Sequence, residues 1–143
     1  MMKGVVSWQG EVQFKGVSES GHVVDMDGPA DSGGREAGFR PMELLLLGLG
    51  GCASFDTVTI LKKARQQVLN CEVELEADRA DAVPSVFTRI HLHFVVTGIS
   101  LVESHVARAI RLSAEKYCSA SMMLEAGGVK ISHSYEVKEG KAV

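Results

Sequence analysis

Two cysteines, Cys52 and Cys118, are the residues best suited to do chemistry in this chain. Each stands where helical segments meet, and each is flanked by small residues: Gly50, Gly51 and Ala53 around the first, Ser119, Ala120 and Ser121 after the second. A thiol is a useful nucleophile only as thiolate, and at a pKa near 8.5 only about 3% is ionised at pH 7. Lowering that pKa to about 6 takes roughly 3.4 kcal/mol. A helix N-terminus supplies about 0.3–1 kcal/mol, up to ~2 in good geometry, and Cys52 lies about three turns inside its helix. A guanidinium is therefore needed, and Arg35 and Arg40 are the nearest candidates. Gly48, one turn before Cys52, leaves space over the sulfur for a ligand. The cysteines are 66 positions apart with no near-neighbour CxxC or HxxxH partners, so a zinc knuckle is excluded and no metal is expected.

The other polar candidates have plainer readings. Cys71, just before a strand, is taken as a structural cysteine, the common state of this often-buried residue. Asp56, one turn after Cys52, is read as a hydrogen-bond anchor or cap contact. His91 and His93 share a strand face without a third metal ligand and are read as solvated. His133 alternates with Val129, Ile131 and Tyr135, which makes it a core or pocket-edge histidine. The loop Gly33-Gly34-Arg35-Glu36-Ala37-Gly38 lacks the Gly-Lys-Ser/Thr ending of a phosphate loop.

The elements that must position these groups follow from periodicity. Residues 3–27 form a β-meander with turns at Gln9-Gly10 and at 18–21, Val12 and Phe14 alternating with polar neighbours. Residues 28–40 carry four glycines and no period, as a mobile loop would. Pro41 suits the first position of a helix, and one long helix is expected from there to about Val68. Its first half, Leu44 to Ala53, is apolar all round, which predicts burial on every side. Its glycines, each costing roughly 1 kcal/mol in a helix, predict close approach of another backbone. Two strands follow: Val73, Leu75 and Ala77 alternate in the first, and Thr88, Ile90, Leu92, Phe94 and Val96 form an apolar face in the second, opposite Phe87, Arg89, His91 and His93. A helix over Leu101–Tyr117 comes next, then a break at Cys118, a short helix stopped by Gly127-Gly128, and a closing strand through Val137.

The 143 residues are 45% hydrophobic and 23% charged, with fifteen Lys+Arg against eighteen Asp+Glu and a formal charge of −3. This fits a single domain spanning 1–143 and excludes a disordered or low-complexity chain. The slight acidic balance argues against nucleic acid as a partner. The most apolar stretch, Leu44–Phe55, is shorter than the roughly twenty residues of a membrane span, so no membrane association is expected. Three cysteines, an odd count with no signal-peptide-like start, point to the reducing cytoplasm.

Pro41-Met42-Glu43-Leu44-Leu45, then Gly50-Gly51-Cys52 and Glu115-Lys116-Tyr117-Cys118-Ser119, resemble the OsmC/Ohr family, the osmotically induced and organic-hydroperoxide-resistance proteins, and within it the YhfA-like branch. The resemblance extends over nearly the whole chain. It implies an α+β fold with an N-terminal meander and a long central helix, assembled as an intertwined homodimer. It further implies that Cys52 attacks a small organic hydroperoxide to become a sulfenic acid, that Cys118 condenses with it to a disulfide, and that a dithiol reductant, such as a lipoylated protein, reopens the bond. No cofactor is implied. Active members typically carry an acid directly after the helix-starting proline; here Met42 holds that place and Glu43 follows it. Arg35, Arg40 and Glu43 are accordingly the supporting candidates. The alternatives on the same scaffold are a non-catalytic dimer binding an apolar small molecule and a slow thiol redox sensor.

Overall fold

In a computed structural model that describes residues 1–141, the chain divides into two compact units, Met1–Leu45 and a second from Leu46 onward. The first is the expected meander: β1 (Gly4–Trp8), β2 (Phe14–Ser18) and β3 (Val23–Met26) form an antiparallel sheet in that order. The β1–β2 turn is built on Gly10 and Glu11, both at positive φ, with the Gln13 amide donating to the Gly10 carbonyl. Val12 thus belongs to the turn, and the strand starts at Phe14.

The segment after β3 is tied down rather than loose. The buried Asp27 carboxylate accepts hydrogen bonds from the backbone amides of Gly28 (2.8 Å), Arg35 (3.2 Å) and Ala37 (3.1 Å). These bonds, that from Gly28 foremost, hold its carboxyl below the ordinary aspartate pKa. Gly34 passes so close to the Gly28 backbone that no side chain fits there. The absence of periodicity hid this, because backbone amides around one carboxylate need no apolar repeat.

The long helix, α1, spans Pro41–Lys63. Glu43 reaches back to accept from the Arg40 amide at 2.8 Å, and the Leu44 amide donates to the Arg40 carbonyl, so Arg40 caps the helix and Glu43 closes the cap. The helix ends earlier than the expected Val68. Arg65 takes a left-handed φ of 59°, the Gln66 amide reaches the Leu61 carbonyl and the Arg65 amide that of Lys62, a Schellman close without glycine. Four of its five buried residues, Leu49, Ala53, Thr57 and Leu61, recur every four positions, and with Gly50 beside them they form one stripe. Burial on every side is therefore not what this chain alone provides: Leu47 is 49% and Phe55 73% exposed. Within this chain the glycines differ in their surroundings. A Cβ on Gly50 would meet the Leu75 side chain at 2.7 Å, while around Gly48 and Gly51 nothing lies within 4 Å. By length and apolarity α1 could also cross a membrane, as core helices of this size often could.

In the second unit β4 (Gln67–Arg79) pairs antiparallel with β5 (Phe87–Ile99), and β6 (Lys130–Glu139) pairs parallel with β5. Register places Leu75, Leu92 and His133 side by side on the inner face, with Val73, Phe94 and Tyr135 in the next row. The apolar face of β5 is as expected except at its start, where Phe87 is buried and Thr88 exposed across a register shift at Asp78/Arg79. The crossover from β5 to β6 carries α2 (Glu103–Leu112) and α3 (Ser119–Ala126). What periodicity suggested as one helix to Tyr117 is α2 followed by a π turn over Ser113–Tyr117. The wider turn moves the next buried position after Ser113 from Tyr117, which is 50% exposed, to Cys118, and because Tyr117 is itself apolar at helical spacing the pattern alone did not show the shift.

Candidate active site

Cys118 is the residue on which the π turn converges. Its amide donates to the Ser113 carbonyl at 2.8 Å, closing the turn, and its sulfur accepts from the Ser121 amide at 3.5 Å as the N-cap of α3. The Ser113 hydroxyl reaches across to α1 and donates to the Ala53 carbonyl at 3.2 Å. Ala53 follows Cys52, so this one bond fixes the π turn against the turn of α1 that carries the other thiol. The Thr57 hydroxyl donates to the same carbonyl at 2.8 Å and steadies it.

The result is a tight cluster. The sulfurs of Cys52 and Cys118 and a carboxylate oxygen of Asp56 all lie within 4.8 Å of one another. Cys118 is fully buried, Cys52 only partly. Burial pushes the Cys118 thiol above its ordinary pKa, the Ser121 contacts pull it down, and the neighbouring Cys52 adds to the rise. Burial likewise raises the Asp56 carboxyl, whose Oδ2 is buried without a hydrogen-bond partner. Asp56 also lines a cleft of about 460 Å³ with Thr59, Lys63, Arg108 and Tyr117. The sequence placed Asp56 one turn from Cys52, on the same face of α1, but read it as a hydrogen-bond anchor or cap contact; its Oδ2 has no such partner, and what the spacing did not show is that Cys118 joins the pair.

The remaining candidates make contacts of their own. Arg40 pairs its guanidinium with Glu36 at 3.1 Å, both side chains half exposed. Arg35 contributes its amide to Asp27, and Glu43 caps α1. Cys71 faces the sheet interior in register with Val96, and burial raises its thiol. His91 shares hydrogen bonds with Ser132 (2.6 Å) and Ser134 (2.8 Å), and His93 with Ser134 (2.7 Å), so both imidazoles are engaged by the neighbouring strand. His133 stacks against Phe94 and lines a cleft of about 820 Å³ with Arg111, Glu115, Met122 and Tyr135, its Nε2 buried and unpartnered.

A three-stranded meander, a long helix, and a mixed sheet whose crossover helices present a cysteine to that helix define an α+β protein with a paired-thiol site. The chain belongs to the OsmC-like protein family, which it matches over residues 32–134. Protein YhfA of Escherichia coli K12 is 49% identical over 136 residues, covering 95% of this chain and 98% of the relative. A hypothetical protein from Aquifex aeolicus VF5 is 29% identical with a TM-score of 0.86, covering 99% of this chain and 98% of that one. An organic hydroperoxide resistance protein OsmC from Legionella pneumophila, also described as a predicted redox protein, shares the fold at 17% identity and a TM-score of 0.73, with coverage of 96% and 97%. The family and the fold class expected from the sequence both hold.

Proposed function

We propose that this protein is a cysteine-based reductant of small organic hydroperoxides that cycles between a dithiol and a Cys52–Cys118 disulfide. The observation that carries this reading is the placement of a partly exposed thiol against a buried one, both within 4.8 Å of a carboxylate. The thiol of Cys52 gives its proton to the Asp56 carboxylate, whose raised pKa makes it the better acceptor. The thiolate attacks the outer peroxide oxygen, the O–O bond breaks, and the alkoxide leaves as alcohol after taking up a proton. Cys52 is then a sulfenic acid. The Cys118 sulfur attacks it, the S–O bond breaks, and water departs as the disulfide forms. An external dithiol, such as a lipoylated protein, reduces the disulfide and is itself oxidised to a cyclic disulfide. The setting proposed for this cycle is the cytoplasm, with the protein a homodimer joined through the exposed apolar face of α1. Arg35 or Arg40 supplies the thiolate-stabilising guanidinium in that assembly.

Burial of Cys118 favours a second reading, a slow thiol sensor, because a thiol with a raised pKa resolves the sulfenic acid slowly. Turnover of an alkyl hydroperoxide with a dithiol reductant separates the two. A reductase sustains many turnovers and loses them in Cys52→Ser, whereas Cys118→Ser accumulates a sulfenic acid on Cys52 that dimedone traps. Dimedone labelling of a residue other than Cys52 would reverse the roles, and a single turnover followed by arrest would leave the sensor.

A further inference from the structure

The same three side chains have a second capability that does not depend on peroxide chemistry. Two sulfurs and a carboxylate oxygen converge from two helices, α1 giving Cys52 and Asp56 at positions i and i+4 and the N-cap of α3 giving Cys118. Among the described residues this is the one group of three metal-ligating side chains found so close together. The Asp56 Oδ2 is buried with nothing to bond, a state that costs free energy unless a partner is supplied.

We propose that reduced Cys52, Cys118 and Asp56 form a binding site for a soft divalent cation of the zinc class, with the fourth coordination position open. The donor set suits such an ion, since thiolates select zinc, cadmium and copper(I) over magnesium and calcium. Three protein ligands and one exchangeable position is the pattern of open zinc sites. Zinc takes sulfur at about 2.3 Å and carboxylate oxygen at about 2.0–2.2 Å, so tetrahedral ligands stand roughly 3.5–3.8 Å apart. From mutual distances of up to 4.8 Å, closing on the ion takes side-chain shifts on the order of 1 Å or less, within the reach of rotamer adjustment on two fixed helices. Room for the fourth ligand exists on the Cys52 face of α1 one turn earlier, where nothing lies within 4 Å of a Cβ built on Gly48. An ion held there occupies both sulfurs and blocks their joining, so metal loading and disulfide formation exclude each other.

The test titrates reduced, chelator-stripped protein with zinc against a chromophoric competitor, and with cobalt(II) as a spectroscopic probe. One ion per chain is expected, with the intense visible bands of tetrahedral cobalt and a thiolate-to-cobalt charge-transfer band. Cys52→Ser and Cys118→Ser should each lower affinity at least about 100-fold and halve the charge-transfer intensity. Asp56→Asn should lower affinity about 10-fold or more with both thiolate contributions retained, and Cys71→Ser should bind as the parent does. If Cys118→Ser fails to fold, wild-type protein oxidised to the disulfide takes its place and should bind no metal, with binding restored on reduction. Absence of a one-per-chain site at micromolar zinc, octahedral cobalt without charge transfer, wild-type affinity in Asp56→Asn, or undiminished binding by the disulfide form would each overturn the proposal. Hydroperoxide turnover plays no part in these readings, so peroxidase activity and the metal site stand or fall separately.

Discussion

Oxidation of the two thiols should make the protein measurably harder to unfold, by an amount the structure sets. Cys52 and Cys118 are 66 positions apart in sequence, and a cross-link closing a loop of that length removes unfolded-chain entropy equivalent to about 4 kcal/mol at 25 °C. Two local costs oppose this. The sulfurs, now within 4.8 Å, must close to about 2 Å. Cys118 also gives up its contact with the Ser121 amide, and losing a helix cap costs about 0.5–2 kcal/mol. The net gain is about 2–3 kcal/mol. At roughly 2.1 cal/mol/K of unfolding entropy per residue, a chain this long should melt about 8 °C higher when oxidised. Thermal unfolding followed by circular dichroism at fixed protein concentration, on reduced and on hydroperoxide-oxidised samples, measures the shift. Non-reducing peptide mapping confirms which bridge is present, and Cys71→Ser serves as a control that should shift equally. An oxidised protein with a mapped Cys52–Cys118 bond that melts at or below the reduced form would refute the reasoning. It would mean that the native fold resists the approach of these sulfurs.

Three further outcomes are expected. Ser113→Ala removes the hydroxyl that ties the π turn to the Ala53 carbonyl; a loss of about 1–2 kcal/mol in denaturant unfolding should accompany slower disulfide formation, and unchanged oxidation kinetics would show that this bond does not align the thiols. Burial holds the His133 imidazole below its ordinary pKa, so the unfolded chain binds its proton more readily; stability is full above the unfolded value near 6.5 and falls as pH drops through it toward the lower folded value, a slope that His133→Gln should flatten. Phe55→Glu should convert the proposed homodimer to monomer in sedimentation at low micromolar concentration, since each large apolar side chain buried at an interface contributes roughly 1.5–3 kcal/mol; a wild-type monomer under those conditions would remove the dimer.

What the sequence made legible was whatever repeats. Alternation in β4 through β6 placed the inner face nearly residue by residue, because a half-buried strand has no other way to arrange its side chains. Pro41 marked the start of α1 for an equally local reason. Its end was hidden because Lys62-Lys63-Ala64-Arg65-Gln66-Gln67 are all good helix formers. Only the strand that begins at Gln67 demands the stop, and Arg65 accepts a left-handed backbone to allow it. The thiol site divides along the same line. Cys52 and Asp56 are neighbours by helical geometry alone, so their pairing was available from spacing. Cys118 joins them through a π turn and a serine-to-carbonyl bond between elements, neither of which leaves a period in the sequence. The expectation of a guanidinium beside Cys52 came from what a thiolate needs, whereas Asp56, read only as an anchor, stands within 4.8 Å of both sulfurs. A half-buried carboxylate with one buried, unpartnered oxygen beside two thiols gives the site a different character. In the proposed peroxide cycle Asp56 takes the proton that Cys52 gives up, and in the proposed metal site it gives the ion an oxygen.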